Sequence, residues 1–234
     1  MSESVRSLVR DRGGELQPGD VYLSNNPYNG GTHLPDITAI SPVFSTDTDD
    51  KTEKPLFYVA SRGHHADIGG ITPGSMPPQS QTIADEGILF DNVPLVRGGK
   101  FLEAEIRDRL ASHTHPARNP DRNLADLRAQ IAANNRGVTE LRSMVANYGL
   151  PTVRAYMQHV QDNAEAAVRG AIAKLSDGEA CIELDSGDRI RVKISVDRQA
   201  RRATIDFSGT SAQLASNFNR SEERRVGKEC RSRW

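Results

Sequence analysis

The hydrophobic positions of this chain change period along its length, and the changes mark its elements. Residues 3–11 carry Val5, Leu8 and Val9 at helical spacing, and Gly13-Gly14 followed by Pro18-Gly19-Asp20 closes that helix in turns. Val21-Tyr22-Leu23, Ile37 to Phe44 and Leu56 to Ala60 are rich in β-branched and aromatic residues and predict three strands. Between the last two, Ser45 to Lys54 is a polar loop with Asp47, Asp49, Asp50 and Glu53. It lacks the alternation and central glycine of a calcium loop and reads as a solvated hairpin tip. Gly69 to Gln81 has neither period and predicts rigid coil; Asp85 to Phe90 and Asn92 to Val96 predict short strands or turns.

From Asp121 the period lengthens. Leu124, Leu127, Ile131, Val138, Leu141 and Val145 recur at three and four residues, with Gly137 in a position to bend the helix. Tyr148-Gly149-Leu150-Pro151 stops it, and a second stripe follows through Val153, Tyr156, Met157, Val160, Ala164, Ala167, Val168, Ile172 and Leu175. Two long helices joined by so short a loop are expected to pack as an antiparallel hairpin with both stripes in the core. Beyond it, Ile190, Val192, Ile194 and Val196 alternate with Arg189, Arg191, Lys193 and Ser195, the pattern of a half-buried antiparallel strand, and Thr204 to Phe207 returns beside it. The predicted class is α+β: Gly-rich β segments, a central antiparallel helical hairpin, then antiparallel strands.

Composition narrows the function classes. Hydrophobic residues make up 36% of 234 positions and mean hydropathy is −0.57, so the chain reads as soluble, with no apolar run long enough for a membrane span. Polar residues Ser2, Glu3, Ser4, Arg6 and Ser7 interrupt any apolar signal core, and a cytoplasmic location is the default expectation. The formal net charge is −1, which offers no electrostatic footprint for nucleic acid. The two cysteines, Cys181 and Cys230, supply neither a disulfide framework nor a thiolate metal cluster.

The candidate chemistry lies in two turn-rich segments. Asn25 to Asp36 contains Gly30-Gly31-Thr32-His33-Leu34-Pro35-Asp36, and Ser61 to Gly70 contains Gly63-His64-His65-Ala66-Asp67. Imidazole and carboxylate are the usual ligands for Zn, Mn and non-haem Fe. Flanking glycines let such side chains converge. If the strands on either side of the acidic loop pair antiparallel, His33/Asp36 and His64/His65 meet at one end of the pair. His33, Asp36, His64 and His65 are therefore the expected ligands of a divalent metal. Adjacent residues of an extended strand point to opposite faces, so both His64 and His65 contribute only if the chain turns at Gly63. His113 and His115, in a polar loop without carboxylate partners, are expected to be solvent-exposed.

The same residues carry a resemblance. Gly19 to Asp36, Tyr58 to Pro78 with its Ser-Arg-Gly-His-His-Ala-Asp-Ile-Gly-Gly core, Asn123 to Gln130, and Asp206-Phe207-Ser208-Gly209-Thr210 resemble the hydantoinase B/oxoprolinase family over about residues 3–219. The resemblance implies the ring-opening half of an ATP-dependent hydrolase of cyclic amides, with 5-oxo-L-proline converted to L-glutamate as the expected reaction. It further implies that ATP is bound by a partner A half, fused or separate, and that the complete enzyme is an oligomer. Within that reading Asp67 is expected to act as general base or to orient a histidine, with His65 as the second catalytic group. Many family members carry an acid just before Pro-Tyr, where this chain has Asn26, which argues against a carboxylate nucleophile there. Two alternatives are a non-catalytic partner that orders the A half, and a relative of ketone carboxylase α-subunits. A long segment precedes this point in the family, so Met1 is expected to be internal and the chain truncated at both ends.

The C-terminal stretch Arg220 to Trp234 breaks from the preceding composition and resembles a translated synthetic sequencing adapter. The expected organisation is one partial domain over residues 1–219 and an artefactual tail over 220–234. The tail holds six basic and three acidic residues, leaving 24 basic and 28 acidic in the rest, a net of −4. Deleting residues 220–234 is expected to change stability by less than about 0.5 kcal/mol. Thermal unfolding of the shortened chain checks this, and a larger loss would make the stretch part of the fold.

Overall fold

The computed structural model describes residues 1–45, 54–74, 77 and 79–214, so most of the acidic loop and all of residues 220–234 lie outside the described residues. The described chain falls into two compact units, residues 1–142 and 143–214.

The first unit begins with α1 (Ser2–Arg12), then β1 (Val21–Ser24), β2 (Asp36–Val43) and β3 (Phe57–His64). A short helix α2 (Ile83–Glu86) precedes β4 (Val93–Arg97), β5 (Lys100–Phe101) and α3 (Glu103–Ala111). The five strands form an antiparallel sheet in the order β3-β2-β1-β4-β5. The strand predicted to end at Ala60 runs on to His64, because Ser61 to His64 pair residue by residue with Asp36 to Ala39. Asp85 to Phe90, expected as strand or turn, is partly helical instead. There Thr82 and Asp85 form a reciprocal capping box.

Period two along β1 and β2 sorts side chains to opposite faces of the sheet. Tyr22 and Ile40 lie on one face with Leu8 of α1, Leu16 and Phe44. Leu23, Ile37 and Ala39 lie on the other, with Ile106 and Leu110 of α3 and with Leu124 and Leu127 of α4 (Pro120–Tyr148). Each fully buried leucine or isoleucine here stabilises by about 1.5–3 kcal/mol. Helix α4 is continuous through Gly137, which is there for proximity and not for bending. A Cβ at Gly137 would sit 2.8 Å from Cγ1 of Val59 on β3.

Polar residues on the inner face of α4 also reach the sheet. Asn123, Gln130 and Asn134 are buried, seven and four residues apart, on the same side as Leu124 and Leu127. Gln130 Nε2 donates to Ile37 O at 2.9 Å and lies 3.3 Å from Ser61 O. Asn134 Nδ2 lies 3.1 Å from Ala39 O, 3.0 Å from Ser41 Oγ and 3.5 Å from Val59 O. The helix is docked on β2 and β3 by amide groups.

The second unit contains the end of α4, then α5 (Leu150–Ile172) and the antiparallel strands β6 (Gly178–Glu183), β7 (Arg189–Asp197) and β8 (Arg202–Asp206). Gly149, at φ 80°, with Pro151 behind it, makes the helix break that the sequence predicts. The alternation on β7 is as predicted, with Ile190, Val192, Ile194 and Val196 half-buried and their neighbours exposed. The expectation that the α5 stripe is core is corrected. Tyr156, Val160 and Val168 are 67%, 69% and 58% exposed, so helical periodicity is present without burial. Among the described residues no helix is long and apolar enough to cross a membrane.

Replacing Gln130 with leucine strips the buried carbonyl of Ile37 of its amide donor and is expected to cost about 1–3 kcal/mol. Breaking the exposed Arg136–Glu140 pair on the same helix is expected to cost under about 0.5 kcal/mol. Urea unfolding of the two variants checks the difference.

Candidate metal centre

The loop before β2 is built to hold His33 against the sheet. Asn25 is fully buried, and its Nδ2 donates to Leu34 O at 2.7 Å and Ile88 O at 3.0 Å while its Oδ1 accepts from Phe90 N at 2.7 Å. Gly30 adopts φ +87°, and a Cβ there would stand 2.6 Å from Glu3 O, so only glycine lets the loop lie this close to α1. Asp36 N donates to His33 O at 2.8 Å, closing a turn that brings His33 back over Asp36.

The register of β2 and β3 completes the group. Asp36 pairs with His64 as the last rung of the ladder, so their side chains share a face. His64 Nδ1 lies 2.8 Å from Asp36 Oδ1. Both are ligand-type atoms, and a cation bound by the two would take the place of this hydrogen bond and its proton. The rings of His33 and His64 are 5.5 Å apart, and one ligand atom each from His33, Asp36 and His64 lies within 4.8 Å of the others. Two donors bound at about 2.0–2.2 Å can be no more than about 4.4 Å apart, so this group is close to ligand spacing. His33 Nε2 is buried without a hydrogen-bond partner among the described residues. A buried acceptor left unpaired is costly, and a cation is one partner that would satisfy it. The donor set fits a divalent metal.

His65 and Asp67 are turned elsewhere. The backbone stays extended through Gly63, so His65 points to the α4 face and is 2% exposed. Asn123 Nδ2 lies 3.2 Å from His65 Nδ1, and Gln130 Oε1 lies 3.3 Å from Nε2. An amide nitrogen donates, which makes Nδ1 the acceptor and Nε2–H the donor, so both nitrogens of a neutral imidazole are occupied. Burial holds the His65 pKa below the usual histidine range, against the opposing hydrogen bond to Gln130 Oε1 and the charge of Asp126. Asp67 is engaged by Arg118, whose Nη1 is 2.6 Å from Oδ1 and whose backbone N is 2.8 Å from Oδ2. Arg118 Nη2 also donates to Gly70 O at 2.9 Å, so the Asp67–Arg118 pair ties down the glycine turn after β3.

Asn123 and Gln130, the ends of a segment that carries the family resemblance, and Arg118 hold this architecture together, and the sequence reading gives none of the three a role. The available signal was the polar residues interleaved on the apolar stripe of α4. His113 and His115, expected to be exposed, are half-buried, and His115 O accepts from Gly70 N at 3.0 Å.

The family model for hydantoinase B/oxoprolinase matches residues 1–226. The chain belongs to the hydantoinase B/oxoprolinase family. Among family members it is 40% identical to a 5-oxoprolinase of Dictyostelium discoideum, over 94% of this chain and 17% of that protein. It is 41% identical to 5-oxoprolinase 1 of Arabidopsis thaliana, over 95% of this chain and 19% of that protein. The chain thus spans less than a fifth of the length of these relatives. The ATP-dependent caprolactamase of Pseudomonas jessenii superposes with a TM-score of 0.72 at 26% identity, covering 91% of this chain and 36% of the caprolactamase chain. A nucleotide-free acetone carboxylase structure superposes with a TM-score of 0.77 at 15% identity, covering 94% of this chain and 30% of its own, and shows the shared fold.

The two histidines can be told apart by metal titration of the full chain with Mn²⁺ or Zn²⁺. His33→Ala and His64→Ala are each expected to weaken binding by more than about tenfold. His65→Gln is expected to leave metal affinity near the parent value while lowering the unfolding midpoint. Isothermal titration and thermal unfolding read the two effects separately.

Proposed function

We propose that this chain forms the ring-opening site of an ATP-dependent hydrolase of cyclic amides, acting on 5-oxo-L-proline to release L-glutamate. The observation that carries the reading is the group of His33, Asp36 and His64 with its unpaired buried nitrogen, in a chain about 40% identical to 5-oxoprolinases. The likeness to an ATP-dependent caprolactamase supports the same class of substrate.

A five-membered lactam is unstrained and resonance-stabilised, so water opens it slowly. Phosphorylation of its carbonyl oxygen in an ATP-binding partner half would create the better electrophile, leaving water attack, loss of inorganic phosphate and C–N cleavage to this chain. His33, Asp36 and His64 would hold a divalent cation, Zn, Mn or Fe by donor type, which when bound supplies Lewis acidity and an acidified water. A cation bound by Asp36 and His64 would replace the proton that bridges them at 2.8 Å. His65, neutral and bonded at both nitrogens, fixes the strand end from behind. Asp67, paired with Arg118, fixes the glycine turn beside it.

The test uses the protein in which this chain is joined to, or assayed with, its ATP-binding half. Asp36→Ala is expected to abolish glutamate formation from 5-oxo-L-proline while nucleotide binding by the partner half persists. Normal turnover in Asp36→Ala would remove the metal site from the mechanism. Carboxylation of acetone in place of ring opening would assign the chain to the ketone carboxylases instead.

A further inference from the structure

One more charged side chain shares the sheet face of Asp36 and His64. Arg62 pairs with Thr38 two rungs in from the Asp36–His64 pair, so it stands about 6.6 Å further along the strand on the same face. Its guanidinium is held by three hydroxyls. Nε donates to Thr38 Oγ1 at 2.8 Å, Nη1 to Thr32 Oγ1 at 3.1 Å, and Nη2 to Ser4 Oγ at 3.0 Å. Ser4 is fully buried and its own hydroxyl donates to Gly30 O at 2.7 Å, which fixes it as an acceptor toward Arg62. Thr32 is the residue before His33, so the guanidinium reaches to the root of the candidate metal loop.

All three of these acceptors are neutral. Among the described residues no carboxylate forms an ion pair with Arg62, and Asp36, on the nearest acidic rung, is occupied by His64. Three of the five guanidinium N–H groups are used, leaving two donors and a whole positive charge. An arginine kept only to tie α1 to the sheet would not need its charge uncompensated. A planar cation clamped in one orientation, with donors to spare, has the chemistry of a carboxylate receptor.

We propose that Arg62 determines specificity at this site by binding the carboxylate of a carboxyl-bearing lactam. The inference rests on the lactam reading above and adds what would separate 5-oxo-L-proline from an uncharged ring. The test is equilibrium binding to the full chain of 5-oxo-L-proline and of 2-pyrrolidinone, the same lactam without the carboxylate. The parent chain is expected to prefer 5-oxo-L-proline. Arg62→Gln is expected to weaken 5-oxo-L-proline by more than about tenfold and to leave 2-pyrrolidinone within about twofold, with Arg62→Lys in between because it keeps the charge and loses the fork. Equal loss of both ligands in Arg62→Gln, as from misfolding, overturns the proposal, and so does unchanged 5-oxo-L-proline binding or a parent without preference. Metal titration of the same samples separates the two readings. A parent that discriminates the ligands but binds no metal removes the metal site and leaves Arg62 its role. A parent that binds metal without discriminating does the reverse.

Discussion

The register between β2 and β3 is the constraint on which the site depends. Side chains alternate with a period of two, so a slip of one residue would exchange every inward and outward position. The observed register places Asp36 across from His64 and Thr38 across from Arg62. A one-residue slip would bring His65 or Gly63 opposite Asp36 and turn Arg62 away from its hydroxyls. The hydrophobic pattern resists this only partly, since β3 carries Ser61, Arg62 and Gly63 at the end where the site forms. Helix α4 supplies the remaining specification. Gln130 lies within reach of the carbonyls of Ile37 and Ser61, and Asn134 of those of Ala39 and Val59, so each amide spans both strands. Sliding one strand against the other would break these contacts in the interior, where water does not replace them.

This arrangement also explains how two adjacent histidines come to have different chemistry. His64 is exposed and faces a carboxylate, which orients it. His65 is buried under α4, where desolvation favours the neutral form and two amides occupy its nitrogens. The difference comes from which face of one strand each residue occupies. In the same way Asp36 and Asp67, both near the end of the sheet, are committed to different partners, His64 and Arg118.

The fold is shared with a caprolactamase and an acetone carboxylase, at identities of 26% and 15%. A shared fold does not fix an activity, which rests on the side chains of each site. In this chain the side chains on the face of Asp36 and His64 include a clamped arginine and the threonine and serine hydroxyls that hold it.

Local sequence alone determined much of this protein. The strand runs, the helix stop at Gly149 and Pro151, the period-two pattern of β7 and the meeting of His33/Asp36 with His64/His65 at one end of a hairpin all follow from short-range periodicity and turn chemistry. Each depends on residues within one element or one hairpin. Three features were decided only by tertiary structure. The extension of β3 to His64 requires the partner strand, because Ser-Arg-Gly-His has little strand propensity of its own and forms by pairing with β2. The division between His64 and His65 requires α4, which comes from about sixty residues downstream and buries one face. The exposure of the α5 stripe is the reverse case. Periodicity states which face of a helix is apolar, and only the surrounding structure determines whether anything covers it.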